Sequence, residues 1–379
     1  MRVPNILLCL NFTLILHFTS ALKVRRTLHM NIFDNFSKAV QNSVIPSVPI
    51  EKYVQPLSLI DINDFLSTNY WPSGLQQYII DNANNIPLRL FICDDSGSME
   101  ATDGVQIVRN ARNLSMRPCS RWTELGDSIT FHSTLASLLN VNSEFKLLNK
   151  WSSLSTGDGH DENRLKKFHS VFSSESPSGG TPLCNSIRGA IGKVQRVEND
   201  LRANRKKACV IIATDGESSD GDLADAMKPF ERLPVNVIVK LCTNEDRIVQ
   251  YWDGIDRGLE VDIDVLDDMA GEAKEVYKFN PWLNYIEPIH RIREFGMELK
   301  ELDFIDERLL STSQMRSICA ILLGVTTDEL PPVSDMKGLV SRIEALVAGE
   351  RRYFSLCHKK PMPLVDVNVL KLCYWKSFF

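Results

Sequence analysis

The chain has 379 residues, a formal net charge of −5 and 44% hydrophobic residues, which is the composition of an ordinary globular protein. This length accommodates one large domain with additional segments. The mildly acidic balance gives no basic patch of the kind that binds nucleic acid, and the basic residues within 202–207 are explained by a solvated helix end. Nucleic acid is therefore excluded as the expected partner.

The N-terminus predicts a targeting signal. The apolar run from Ile6 to Phe18 is short for a membrane span and is followed by Thr19-Ser-Ala21. These features predict a secretory signal peptide over residues 1–21, with no stable membrane span after its cleavage. An uncleaved membrane anchor is the alternative, which Asn11 and His17 disfavour.

Residues 22–50 are predicted to be a leader or linker, and no acidic residue precedes Asp34. Basic, acid-free sequence after a signal peptide resembles the transit portion of bipartite leaders in organisms with complex plastids. The cysteines lack paired spacing, which fits a reducing interior better than a disulfide scaffold. The triplets that begin at Asn35 and Asn113 instead match glycosylation sites. Secretion and delivery to a plastid therefore both stay open.

Residues 51–86 are predicted to form a helical extension that precedes the main domain. The first predicted strand, Leu88 to Cys93, ends in Asp94-x-Ser96-x-Ser98. One carboxylate and two hydroxyls thus lie at the carboxyl end of a buried strand, where ligands bind in open α/β sheets. Hard oxygen donors of this kind suit Mg²⁺, Mn²⁺ and Ca²⁺. We therefore expect a metal-binding loop.

Two later segments extend this pattern. Ser178-Gly-Gly-Thr-Pro-Leu183 has the composition of a tight loop that leads into a helix, and it presents the hydroxyl of Thr181. The β-branched apolar run that begins at Ala208 ends in Asp215, followed by Gly216. Two parallel strand ends and a neighbouring helix-start loop can converge on one point, so these segments together offer two carboxylates and three hydroxyls.

In content and order, Asp94-x-Ser96-x-Ser98, Thr181 and Thr214-Asp215-Gly216 resemble the metal-ion-dependent adhesion site of von Willebrand factor type A (vWA) domains. The resemblance covers roughly residues 87–285. It implies that the hydroxyls of Ser96, Ser98 and Thr181 bind Mg²⁺, or Mn²⁺ or Ca²⁺, and that Asp94 and Asp215 bind it directly or through water. An acidic side chain of a partner protein would complete the coordination, so the resemblance implies a non-enzymatic, metal-dependent adhesion or scaffold module.

The remaining pattern predicts an α/β fold with a doubly wound, mostly parallel sheet flanked by helices, because strands and helices alternate. The predicted helices are 122–139, 162–172, 182–204, 222–230 and 266–274, and the further predicted strands are 145–149, 209–213, 235–242 and 276–279.

Residues 286–350 are expected to form a small C-terminal helical extension, with helices over 299–310, from Ser313 to a stop at Gly324, and over 335–348. The extension either packs against the sheet or binds another protein. Residues 351–379 show no periodicity and are expected to form an irregular tail.

Two alternatives to a metal-dependent binding module stay open. Asp and Ser after a strand can form an Asx turn and a helix N-cap without any metal, although this does not explain why three loops expose oxygen ligands. A metal-dependent hydrolase acting on a phosphate or ester is the second alternative, because bound Mg²⁺ can activate water. Such an enzyme needs a general base, and His132, His160, His169 and His290 are scattered without a motif.

Overall fold

The computed structural model describes residues 59–374, except residues 111, 112, 262 and 298. The predicted signal peptide, the leader and residues 51–58 lie outside this range, as do the last five residues. Within the described range, no helix is both long enough and apolar enough to cross a membrane.

A six-stranded sheet forms the centre of the fold, and a separate hairpin precedes its second strand. The sheet strands are β1 (Arg89–Cys93), β4 (Ser143–Leu147), β5 (Ser153–Ser155), β6 (Ala208–Thr214), β7 (Val235–Leu241) and β8 (Ile263–Leu266), and the hairpin strands are β2 (Gly104–Asn110) and β3 (Asn113–Cys119). The order in the sheet is β5-β4-β1-β6-β7-β8, and only the β4–β5 pair is antiparallel. The β2–β3 hairpin was not predicted from the sequence pattern.

Helices cover both faces of this sheet. They are α1 (Leu59–Thr68), α2 (Ser73–Asn82), α3 (Arg121–Leu138), α4 (Glu162–Ser174), α5 (Leu183–Ala203), α6 (Leu223–Met227), α7 (Asp246–Gly258), α8 (Met269–Phe279), α9 (Glu287–Glu294), α10 (Thr312–Leu322), α11 (Met336–Gly349) and α12 (Val367–Cys373). Successive residues of β1 alternate between two hydrophobic cores, with Phe91 in one and Ile92 in the other. The predicted doubly wound α/β fold is therefore confirmed.

The predicted order of the last strand and helix of the sheet domain is wrong. The sequence pattern predicts a helix at 266–274 and an edge strand at 276–279, whereas β8 pairs with β7 and α8 extends to Phe279. The carboxylate of Asp268 accepts hydrogen bonds from the backbone amides of Ala270 and Gly271 and caps α8. Val276, whose β-branched side chain suggested a strand, is buried in the core as a helical residue.

Two predictions for the C-terminal part are also wrong. The segment 299–310 is not a long helix but a series of turns with one short 3₁₀ helix at Leu302–Phe304. The side-chain amide of Asn280 donates to the carbonyls of Ile305 and Arg308 and holds these turns in place. Residues 351–374 are not irregular, because they contain the hairpin β9 (Tyr353–Ser355) and β10 (Lys360–Met362) and then α12.

Helix α9, which follows residue 285, lies against the sheet. Gly296, just after it, has φ 73°, and a Cβ at this position would lie 2.5 Å from the Sγ atom of Cys209 in β6. This close approach brings the end of α9 onto the centre of one face of the sheet. The predicted extension therefore begins with a helix that belongs to the layer covering the sheet.

Candidate metal centre

Asp94 is fixed at the carboxyl edge of the sheet by the pairing of β1 with β6. Its backbone amide donates to the carbonyl of Ala213 at 2.9 Å. Its Oδ1 accepts from the backbone amide of Ser96 at 2.8 Å, and its Oδ2 accepts from Thr214 Oγ1 at 2.5 Å. Burial raises the pKa of Asp94, although these hydrogen bonds partly offset the effect. The carboxylate thus joins the turn after β1 to the end of β6.

Polar side chains continue from this turn as a row. Ser96 Oγ lies 3.0 Å from Ser98 Oγ, and Ser98 Oγ donates to Asp215 Oδ1 at 2.8 Å. Asp215, directly after β6, is 3% exposed. Four of the five side chains predicted from sequence therefore lie in one small region that is bounded by the ends of two adjacent parallel strands.

The loop that carries Thr181 lies beside this row. The backbone amide of Gly97 donates to the carbonyl of Gly179 at 3.1 Å, and the amide of Ser178 donates to the carbonyl of Asp95 at 2.7 Å. The amide of Thr181 is held by Ser219 Oγ at 3.0 Å. Within the described residues, no hydrogen bond joins the Thr181 hydroxyl to the other four side chains, so the structure brings together the loops rather than all five side chains.

Asp95 supports the site and was missed as a functional residue. It is fully buried, and its Oδ1 accepts from the backbone amide and the side-chain amide of Asn149 at 2.8 and 3.0 Å. Its Oδ2 accepts from the amide of Lys150 at 3.0 Å. Asn149 Nδ2 also donates to the carbonyl of Gly180 at 2.8 Å. Asp95 therefore positions the loop after β4 and, through Asn149, the Thr181 loop. The sequence signal that could have identified Asp95 is its position inside the Asp94-x-Ser96-x-Ser98 motif.

A buried guanidinium reaches the same site. Arg121 Nη1 donates to Asp215 Oδ2 at 2.9 Å. Its Nε and Nη2 donate to the two carboxylate oxygens of Asp103 at 2.7 and 2.6 Å, and Nη2 also donates to Glu245 Oε1 at 2.7 Å. The hydrogen bond to Asp103 is the main reason that the pKa of Arg121 is raised. No local sequence signal identifies this cluster, because its members come from four separate segments.

The donor set fits a hard divalent cation. A carboxylate has about four lone-pair sites, and the described hydrogen bonds from Ser96 and Thr214 to Asp94, and from Ser98 and Arg121 to Asp215, use only part of them. The cluster contains the carboxylates of Asp94, Asp215, Asp103 and Glu245 and the single guanidinium of Arg121. When the carboxylates are ionised, the net charge of the cluster is therefore negative. No group of three or more His, Cys, Asp or Glu in the described part of the chain could hold a metal, so hydroxyl ligands would have to complete such a site.

The histidines considered as general bases are engaged elsewhere. His132 Nε2 lies 2.9 Å from Glu294 Oε2, and His290 Nδ1 lies 3.1 Å from the hydroxyl of Tyr285. The other two contact α3 hydroxyls: His160 Nδ1 lies 2.9 Å from Ser137 Oγ, and His169 Nε2 lies 2.8 Å from Ser133 Oγ. None of these contacts involves a predicted metal ligand.

No protein-family model and no curated protein matches this chain. Among solved structures, the vWA domain of SpRpn10 matches with a TM-score of 0.31 and 10% identity, over 48% of this chain and 87% of that one. The conserved hypothetical protein BatB from Bacteroides thetaiotaomicron matches with a TM-score of 0.30 and 16% identity, over 55% and 98% of the two chains. Independently of these two matches, the strand order itself shows a mostly parallel, six-stranded α/β fold in the described part of the chain.

Proposed function

We propose that this protein is a non-enzymatic, metal-dependent binding module that captures an acidic side chain of a partner protein. Mg²⁺, or Mn²⁺ or Ca²⁺, would be held by Asp94, Ser96, Ser98, Thr181 and Asp215. The observation that carries the proposal is the hydrogen-bonded row from Ser96 through Ser98 to Asp215 beside the buried Asp94.

The donor chemistry explains why a carboxylate is the proposed ligand. A cation held largely by neutral hydroxyls keeps much of its charge for an incoming anion. Besides the proposed cation, Arg121 is a second positive group beside Asp215. Its guanidinium donates to Oδ2 of that carboxylate, whereas Ser98 donates to Oδ1. Arg121 is therefore expected to attract the incoming carboxylate and, through the same positive charge, to oppose the binding of the cation itself.

Metal binding by the full chain tests the site. We expect Mn²⁺ to bind in calorimetry, and we expect Asp94→Asn and Ser98→Ala to weaken binding at least roughly tenfold. Asp94→Asn preserves the side-chain shape beside Thr214, so circular dichroism should not change. The control is Asp225→Asn, an exposed position on α6. The site assignment fails if the parent shows no affinity at millimolar Mn²⁺ or if both site variants bind like the parent.

Partner capture and catalysis are separated by a second measurement. We expect an acidic peptide to bind only with metal present, and we expect Thr181→Ala to weaken peptide binding more than Mn²⁺ binding, as the vWA resemblance implies. Metal-dependent turnover of a phosphate or carboxylate ester would instead establish the hydrolase alternative, in which bound metal activates water.

The cellular location is proposed from the sequence alone. A signal peptide over residues 1–21 would direct the chain into the secretory pathway, with secretion or a plastid as the destination. Residues 1–31 fused to a fluorescent reporter test this proposal, and a diffuse cytosolic signal would refute it.

A further inference from the structure

Trp151 is the most exposed large hydrophobic residue in the described part of the chain. Its relative exposure is 106%, whereas tryptophan is on average highly buried in folded proteins. Every other described tryptophan is at most 5% exposed: Trp71, Trp122, Trp252 and Trp282. The position of Trp151 in the fold decides what this exposed indole can contact.

The turn between β4 and β5 holds Trp151 in place. The backbone amides of the two residues before it, Asn149 and Lys150, donate to the carboxylate of Asp95 at 2.8 and 3.0 Å. The side chain of Lys150 also pairs with Glu175 Oε2 at 3.1 Å. Two residues after Trp151, strand β5 begins and pairs with β4. The indole is therefore presented to solvent by a turn that is fixed at both ends.

This turn borders the candidate metal centre. Its anchor, Asp95, directly follows the first predicted metal ligand in the chain. Asn149 Nδ2 donates to the carbonyl of Gly180 at 2.8 Å, and a Cβ at Gly179 would lie only 2.9 Å from Asn149 Oδ1. The turn therefore packs directly against the loop that carries Thr181.

Exposed glycines lie between the metal centre and this turn. Gly97, Gly179 and Gly180 are all exposed, and the amide of Gly97 donates to the carbonyl of Gly179 at 3.1 Å. The predicted ligand Ser98, next to Gly97, is exposed as well. Glycine has no Cβ, so another backbone can approach these residues closely. An extended peptide can therefore lie along the surface from Ser98 to Trp151.

The distance along this surface suits a short segment of peptide. Trp151 follows Lys150, whose amide lies 3.0 Å from the carboxylate of Asp95. With the ordinary spacing of consecutive Cα atoms and the reach of an aspartate side chain, the Cα atoms of Trp151 and Asp95 are at most about 12 Å apart. An extended peptide covers this distance in roughly three or four residues.

A peptide is a better match to Trp151 than a bilayer. The other exposed large hydrophobic residues of the described chain belong to segments after residue 276: Tyr277, Leu309, Val333 and Leu372. Trp151 is therefore a single apolar anchor beside a surface of glycine and serine, and not part of an apolar patch of the kind that inserts into a membrane. Single tryptophan anchors of this kind often dominate the binding energy of protein interfaces.

We propose that the partner of the metal centre carries a bulky apolar residue about three positions from its metal-binding acidic residue, and that this apolar residue packs on Trp151. The inference rests on the proposed function, because the bound cation places the acidic side chain. A tryptophan side chain buries roughly 150–250 Å² when it is covered, and removing that apolar surface from water favours binding. The cation thus selects the acidic residue of the partner, and Trp151 selects the residue near it.

Calorimetry with the full chain and Mn²⁺ tests the proposal. The probes are three heptapeptides with blocked ends and glycine at the unspecified positions. The first has a central aspartate and a leucine at each end, the second has alanine in place of leucine, and the third has asparagine in place of aspartate. We expect the leucine peptide to bind at least roughly fivefold more tightly than the alanine peptide, and the asparagine peptide to gain nothing from Mn²⁺. Binding of the leucine peptide should also shift the tryptophan emission to shorter wavelength, because Trp151 leaves water.

Variants locate the apolar contact to the indole. Trp151→Ala should leave Mn²⁺ affinity and circular dichroism unchanged, because the side chain is fully exposed and is not a predicted ligand. It should remove both the preference for the leucine peptide and the emission shift, whereas Trp151→Phe should retain part of the preference. The control is Tyr277→Ala, at an exposed aromatic residue on α8 whose ring contacts His358.

The outcomes separate this inference from the proposed function. If Mn²⁺ binds but the leucine and alanine peptides bind equally or not at all, or if Trp151→Ala keeps the preference, the inference is overturned and the metal site stands. Absence of Mn²⁺ affinity overturns the proposed function and this inference with it. Binding to vesicles of phosphatidylcholine and phosphatidylserine in EDTA that is lost in Trp151→Ala would also overturn the inference, because the indole would then contact a membrane.

Discussion

Replacing Glu294 by glutamine is expected to destabilise the fold, because this carboxylate lies at the centre of a buried charge network. Glu294 is 1% exposed and lies at the end of α9. Its Oε2 accepts from Arg291 Nη1 at 2.8 Å and lies 2.9 Å from His132 Nε2. Lys240 Nζ, on the interior strand β7, lies 2.5 Å from Oε1 as an ion pair without hydrogen-bond alignment. The pair connects α9 to the sheet.

The expected magnitude follows from what the substitution leaves behind. Arg291 retains Glu287 as a partner, but Lys240 is 1% exposed and has no second ion-pair partner among the described residues. Breaking a buried pair and leaving one charge uncompensated costs about 3–5 kcal/mol. A domain typically has a free energy of unfolding of roughly 5–15 kcal/mol, so Glu294→Gln should remove at least about a fifth of it.

Urea unfolding followed by circular dichroism measures this loss as a lower midpoint. Glu344→Gln is the control, because its ion pair with Lys371 is exposed and should contribute less than about 1 kcal/mol. The double variant Lys240→Met with Glu294→Gln should recover part of the stability, since it removes the uncompensated ammonium group. The reasoning is refuted if Glu294→Gln unfolds at the midpoint of the parent, or if the double variant is as unstable as the sum of the two single variants.

Three further outcomes are expected. Burial lowers the pKa of His132 in the folded protein to about 4, despite the opposing effect of Glu294. Between this value and about pH 6.5, the imidazole is neutral in the folded protein but protonated in the unfolded chain. Stability should therefore fall by on the order of 3 kcal/mol between pH 6.5 and 4, and His132→Asn should flatten this dependence in a series of urea unfolding curves; an unchanged slope would contradict it. Arg121→Gln should tighten Mn²⁺ binding in calorimetry roughly tenfold, because it removes a positive charge beside Asp215. The control is Arg247→Gln, at an exposed position, and equal Mn²⁺ affinity of Arg121→Gln and the parent would argue against this effect. Ile211→Asp, at a position 2% exposed in β6, should abolish the cooperative thermal transition, since an unpaired carboxylate in the core costs several kcal/mol; a parent-like melting curve would show that the site tolerates the charge.

Sequence alone determined the central strands and the positions of the candidate ligands. The apolar runs that became β1, β6 and β7 are buried on both faces of the sheet, and an uninterrupted hydrophobic run is a local signal that does not depend on distant residues. Asp94 and Asp215 follow two of these strands directly. Their proximity then follows from parallel pairing, which brings the carboxyl ends of adjacent strands to one edge.

Local patterns were ambiguous where the chain carries both helical and strand signals. The segment from Val276 to Phe279 has a β-branched and aromatic composition, but its position after the cap at Asp268 and its packing against the core make it helical. The turns at 302–308 depend on hydrogen bonds from Asn280, more than twenty residues earlier. Tertiary contacts override local propensity in both segments.

Only the tertiary structure decided which charged residues are buried. In sequence, Arg121 and Glu294 are typical of solvated helix surfaces, and nothing nearby identifies their partners. Arg121 reaches Asp215 across 94 positions of the chain, and Glu294 reaches His132 across 162. Burying a charge is costly unless an opposite charge or a hydrogen-bond donor meets it. The partner is supplied by the fold, so both the buried network and the guanidinium beside the candidate metal site depend on the packing of distant segments.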